Sequence, residues 1–206
     1  MQKTTFILLI LFAFGCTKKE HLIEIYTFKT RANNLNGINA EKYLLDNKKI
    51  DPEFIYEIGK TTTIDTLKQE LIYAGEFKIE VTNLNTLPFI TDKEILSLDT
   101  EQSKLKLSKS ACEKISQLPG FHREGLQFVI TDNRIPIFSG YFWSTFSSYG
   151  SHWYCLSYKP KQENCNEQFF DLTKADGMKS PMGTRVNFRN FNKMVESFKY
   201  SNRLNK

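Results

Sequence analysis

The chain has 206 residues, 40% of them hydrophobic and 14% aromatic, enough apolar material for the core of one domain or two small ones. Its 28 basic and 23 acidic side chains leave a formal net charge of +5, scattered along the chain. A nucleic-acid footprint needs basic residues clustered on one face, so nucleic acid is set aside as a partner.

Lys3 precedes nine consecutive apolar residues, Phe6 to Phe14, followed by Gly15-Cys16. A bilayer-spanning helix needs about 20 such residues. The run has instead the form of a secretory signal closed by a small residue before the cut. Ala13-Phe14-Gly15-Cys16 resembles the lipobox of bacterial lipoproteins, with Phe14 bulkier than is usual there. The resemblance implies a signal peptide over 1–15, lipidation of the Cys16 thiol, and a tether over 16–21 leading into a domain over 22–206. No later apolar run approaches spanning length, so the mature chain is expected to be held by its lipid alone, which two or three acyl chains do stably. The polar run Thr17-Lys18-Lys19-Glu20 looks like the surface-export signals of Bacteroidetes-type lipoproteins. An outer-membrane location is expected, with the periplasmic and surface faces both open.

Leu22 to Phe28 alternates with period two and reads as a first strand, Ile23 and Ile25 on one side, Leu22, Glu24, Tyr26 and Phe28 on the other. Turn chemistry follows to Asp51-Pro52, with at most one helical turn around Ala40 to Leu45. Leu71 to Lys78 reads as a strand in which Gly75 marks a bulge or a close backbone approach. Ile95–Leu98 and Lys104–Leu107 form two short strands about a polar turn. Ser108 or Ser110 then caps a helix whose apolar positions Ala111, Cys112, Ile115 and Leu118 share one face, and Pro119-Gly120 ends it. Leu126–Thr131 and Ile135 to Trp143 form a hairpin about a tight turn, with Pro136 forcing an edge position or a bulge. A strand is expected over Trp153 to Tyr158. Phe191, Met194, Val195 and Phe198 give a closing amphipathic helix.

Over Pro88 to Ser148, a Pro-Phe-Ile-Thr-Asp segment leads to two strands, a helix beginning Leu107-Ser-Lys-Ser-Ala, and Phe128-Val-Ile-Thr-Asp-Asn-Arg-Ile-Pro-Ile-Phe-Ser. This order resembles the head subdomain of the periplasmic loop of SecD, the protein-export accessory membrane protein. Asn133 stands where that family has Gly. The resemblance implies extended or unfolded polypeptide as the class of substrate. SecD's proton-driven step does not carry over, because no membrane span is present to hold its charged residues. The expected fold is α+β, a mainly antiparallel sheet with one or two helices packed on a face.

Besides Cys16 there are Cys112, Cys155 and Cys165. In an oxidising compartment Cys155 and Cys165 are the pair expected to close a loop, with Cys112 left as a buried thiol on its helix. No C-x-x-C pair supports a redox or zinc site, and no glycine pattern cradles a phosphate: Gly177 and Gly183 flank Met178-Lys-Ser-Pro-Met182, read as a loop without phosphate-binding spacing. No metal or cofactor is expected.

His21, His122 and His152 follow no ligand or triad spacing. A Cys155–His152 nucleophile would need a turn, since i and i+3 of a strand face opposite ways. The carboxylates Asp92/Glu94 and Asp171/Asp176 are the other candidates for hydrolysis. The most unusual composition is Tyr141, Phe142, Trp143, Phe146, Tyr149, Trp153, Tyr154 and Tyr158 among serines and glycine. Rings among small polar residues suit an adaptable contact surface or a sugar-stacking platform, with Tyr141, Trp143, Tyr149 and Trp153 as the contact residues. Equally, the rings suit cross-strand packing. The expectation is therefore a non-catalytic envelope lipoprotein that binds a protein or extended polypeptide. Glycan binding through 141–158 and hydrolysis are the alternatives.

Overall fold

The computed structural model describes residues 20–46, 61–120, 123–162, 165 and 169–205. Cys16 and the signal segment, His122 and the turn at Asp51-Pro52 lie outside them. In chain order the strands are β1 (Ile23–Thr27), β2 (Ile38–Asn39), β3 (Thr63–Asp65), β4 (Glu70–Ile72), β5 (Ile95–Asp99), β6 (Lys104–Leu107), β7 (Leu126–Asp132), β8 (Ile135–Ser144), β9 (Tyr154–Tyr158), β10 (Phe169–Asp176), β11 (Ser180–Arg185) and β12 (Leu204–Asn205). The helices are α1 (Ala40–Asp46), α2 (Lys109–Ser116) and α3 (Asn192–Tyr200).

Side-chain alternation decides which face of each strand is covered by what. Ile23 and Ile25 of β1, Phe128 and Ile130 of β7, Phe142 of β8 and Leu156 of β9 enter one core with Ala111, Cys112 and Ile115 of α2 and Met194 and Phe198 of α3. The intervening residues Tyr141, Trp143 and Cys155 point the other way and pack with Ala74 and Phe77, while Tyr26 and Val129 pack with Leu84. A strand apolar on both faces needs cover on both. Helices supply one layer, and the irregular chain around Phe28 and Ala74 to Leu84 supplies the other. The fold is α+β.

The large sheet runs β1-β7-β8-β9-β10-β6-β5-β12, with β11 also on β10, and a separate three-stranded sheet runs β2-β3-β4. All pairings are antiparallel except β8 with β9 and β5 with β12. Ser103, which is 1% exposed, joins three strands where β6 gives way to β11 along one edge of β10. Its backbone carbonyl accepts from Leu172 N, its hydroxyl donates to Leu172 O at 2.6 Å, and the same hydroxyl accepts from Val186 N at 3.0 Å.

The β7–β8 hairpin turns on Asn133 and Arg134, both at positive φ, as a two-residue turn between right-twisted strands demands. The register shifts between Ile130 and Thr131, opposite Pro136. The missing proline N–H is thereby accommodated beyond the stretch of β8 that pairs with β9.

Of the two serines expected as caps, Ser108 caps α2, accepting from Ala111 N at 3.2 Å, while Ser110 donates to Glu94. Three other expectations are corrected. The strand expected over Leu71 to Lys78 stops at Ile72: Ala74 O is taken by His152 N and Ser151 Oγ, and Gly75 N by Asn34 Oδ1, so the ladder loses its groups to cross-chain partners. The segment around Gly177 and Gly183, read as loop, forms the β10–β11 hairpin. Cys165 is bonded to Cys112, across a sequence separation of 53, with a Cα–Cα distance of 5.8 Å. Cys155 is free and buried. The reason lies in the strand period: β9 sends Cys155 to the face opposite the helices, whereas Cys112 and Cys165 share the helix-side core.

Candidate functional site

The aromatic segment is built inward. Tyr141 is fully buried and Trp143 is 5% exposed. The Tyr141 hydroxyl donates to Gly75 O at 2.8 Å, Arg31 lies over its ring, and burial pushes its pKa up to about 12. Trp143 packs so closely on Gly125, at φ +58, that a Cβ there would meet the indole at 2.7 Å. These two rings are therefore core residues and offer nothing to a ligand. Tyr149 and Trp153 are half-buried. Tyr149 leans on Tyr73 and carries Arg123 over its ring, and Trp153 carries the Lys174 ammonium at 4.0 Å from its centroid.

The small residues between the rings have a packing cause as well. A Cβ on Gly150 would meet Gly177 O at 1.9 Å, and one on Gly177, at φ +55, would meet His152 Nε2 at 2.3 Å. Two backbones thus touch where the 149–153 loop crosses the β10–β11 turn. Ser151 is buried, donates to Ala74 O and accepts from Trp153 N. Composition that suggested an adaptable surface reflects close backbone approach.

That loop forms one wall of an open cleft of about 890 Å³ between the three-stranded sheet and the β10–β11 hairpin. Gly37, Ile38 of β2, the β3–β4 turn, His152, and Ser180 and Thr184 of β11 line it. Among the described residues β2 and β11 each pair on one side only, and both contribute residues to the cleft. On its rim Leu35, Ile38 and Leu67 are exposed at 55%, 49% and 96%.

The cleft carries both signs of charge: Asp65, Lys68, Lys174 and Asp176 line it, and Lys68 lies 3.5 Å from Asp65. His152 Nε2 and Lys179 Nζ each lie 3.5 Å from a different oxygen of Glu70. The His152 Nδ1 is buried without a hydrogen-bond partner among the described residues. Lys174 donates to His152 O at 3.1 Å, and burial draws its ammonium below the ordinary lysine pKa against the pull of Glu76 and Asp176.

The hydrolytic candidates are not brought together. The Cys155 thiol is sealed in the second core, burial pushes it up to about 12, and its contact is Trp153 O rather than His152. A thiol held that far from thiolate is a poor nucleophile. Asp92 accepts from Arg203 at 2.7 Å and from Ile23 N, and Glu94 from Lys114, Thr91 and Ser110. Both are engaged in holding the fold. Asp171 and Asp176 sit five residues apart on β10, a separation of about 16 Å along a strand. Among the described residues no group of three or more His, Cys, Asp or Glu is arranged to hold a metal ion.

His21, assigned to the tether, belongs to the folded domain: its Nδ1 lies 2.6 Å from Asp132, its ring stacks on Tyr200, and its carbonyl accepts from Arg203. Sequence reasoning missed the cleft because its walls, β2, β3 and β11, are short strands without a clear alternating pattern. No protein-family model, curated protein or solved structure matches this chain.

Proposed function

We propose that this chain is a non-catalytic envelope lipoprotein, lipidated at Cys16, whose domain binds an extended polypeptide in the cleft between the three-stranded sheet and the β10–β11 hairpin. The observation that carries the binding role is a cleft with an apolar rim, lined in part by β2 and β11, each of which pairs on one side only among the described residues. A polypeptide laid against a strand edge satisfies its own main-chain groups and places alternate side chains on Leu35, Ile38 and Leu67. The SecD resemblance over 88–148 favours polypeptide over sugar. The Cys112–Cys165 bond supports export, since disulfides persist in oxidising compartments.

Fluorescence anisotropy of labelled peptides with alternating apolar residues tests the binding role. Saturable binding is expected, lost when alternate peptide nitrogens are methylated and weakened about tenfold by Ile38→Glu, which places a charge on the rim. Binding of oligosaccharides with none of peptides would overturn the reading in favour of a glycan module.

A further inference from the structure

The residues that follow the tether are clamped. Glu20 O accepts from Asn133 Nδ2 at 2.9 Å, Leu22 O from Asn133 N at 2.9 Å, and His21 is held by Asp132, Tyr200 and Arg203. Ser197 Oγ donates to the same Asp132 oxygen at 2.7 Å, which ties the clamp to α3. Only Thr17, Lys18 and Lys19 separate Cys16 from the clamp. Fully extended, that stretch reaches about 14 Å. A domain fixed at Glu20 and lipidated at Cys16 therefore has little freedom to stand away from the bilayer or to choose which side it turns toward it.

We infer that the face around His21 is a membrane-docking surface that lies on anionic lipid headgroups, an inference that rests on the lipid anchor at Cys16. Two shallow grooves meet there at Tyr200, one lined by Lys93 and Leu96, the other by Ile135 and Lys193. Tyr200, Ile135 and Leu96 are exposed, at 58%, 57% and 39%. Lys93 and Lys193 are exposed beside them, and Lys18 and Lys19 adjoin in the sequence. Apolar side chains beside lysines suit the boundary between headgroups and acyl chains, and lysines near an anionic leaflet are attracted to it. Asp92 is paired with Arg203, and Asp132 is held by His21 and Ser197; the exposed carboxylates Glu20 and Glu196 also line the grooves, against Lys18, Lys19, Lys93 and Lys193.

The full-length lipidated protein, reconstituted in vesicles of phosphatidylethanolamine and phosphatidylglycerol with nitroxide on a fraction of the headgroups, tests this. Single fluorophores go on Ile135→Cys, Leu96→Cys and Phe146→Cys. The last marks the far end of β8, which is ten residues long and spans about 33 Å. Quenching several-fold stronger at 135 and 96 than at 146 is expected, with the difference reduced by Lys93→Glu/Lys193→Glu in these vesicles and not in neutral phosphatidylcholine. Equal quenching at all three sites on protein that floats with the vesicles overturns the docking surface and leaves the anchor standing. Protein that fails to float overturns the anchor and the docking surface with it. A signal at 135 that follows protein density in unlabelled lipid overturns it as well, because that face then pairs with a second copy of the chain.

Discussion

Glu94 shows how a carboxylate that looks available in sequence is engaged in the fold. One of its oxygens accepts from Thr91 N, Thr91 Oγ1 and Lys114 Nζ at 2.9, 2.8 and 2.9 Å, and the other from Ser110 Oγ at 2.7 Å. Burial alone would raise its pKa, but the Lys114 ammonium and the donors of Thr91 and Ser110 outweigh that and hold it at about 2. A folded pKa below the ordinary 4.5 means a contribution to stability that is complete above that value and lost as pH falls through about 2. Glu94→Gln should therefore lower the urea midpoint near neutral pH and close the gap to the wild type as the pH falls from about 4.5 to about 2. A gap that stays constant across that window would show that the carboxylate's charge is not what matters. Nothing in Thr-Asp-Lys-Glu announces this role, because Ser110 and Lys114 arrive from a helix sixteen and twenty residues on.

At the scale of elements, the local readings that survive are those with a clean period and a matching terminus. α2 has one apolar face, a serine cap and a proline stop, and β7–β8 has two alternating strands about a turn that accepts positive φ. The disulfide was not legible in this way. Proximity in sequence favoured Cys155 with Cys165, but the bond joins Cys112 of α2 to Cys165 within the helix-side core. Closing a loop of 53 residues is worth up to about 4 kcal/mol in the loop-entropy account. Cys112→Ala/Cys165→Ala is accordingly expected to lower unfolding free energy by as much as that, read from urea titration. Unreduced peptide mapping should recover 112 linked to 165, and a 155–165 link would reverse the assignment. Iodoacetamide without denaturant should leave Cys155 unmodified, since it is buried.

For the whole molecule, the decisive variant is Cys16→Ser in the full-length chain. Loss of the thiol that carries the lipid should move the protein out of the membrane fraction, or leave it as an unprocessed precursor. Unchanged partition and processing would remove the lipoprotein reading and the orientation argued from it. No helix among the described residues is long and apolar enough to cross a membrane.

By itself the sequence determined the features that depend on neighbours along the chain: the apolar leader ending in Gly15-Cys16, the alternation of β1, β7 and β8, the stripe of α2 and the closing helix α3. Each is a period or a cap read over a few residues, and local backbone geometry enforces it. Tertiary structure alone decided which face of the sheet received each apolar side, and with it the burial of Tyr141 and Trp143 and the pairing of Cys112 rather than Cys155. It also decided the cleft and the clamp on His21, which assemble from segments more than a hundred residues apart. The physical reason is that a strand apolar on both sides carries no record of what will cover it. That depends on where distant chain returns, and return is settled by packing rather than by pattern.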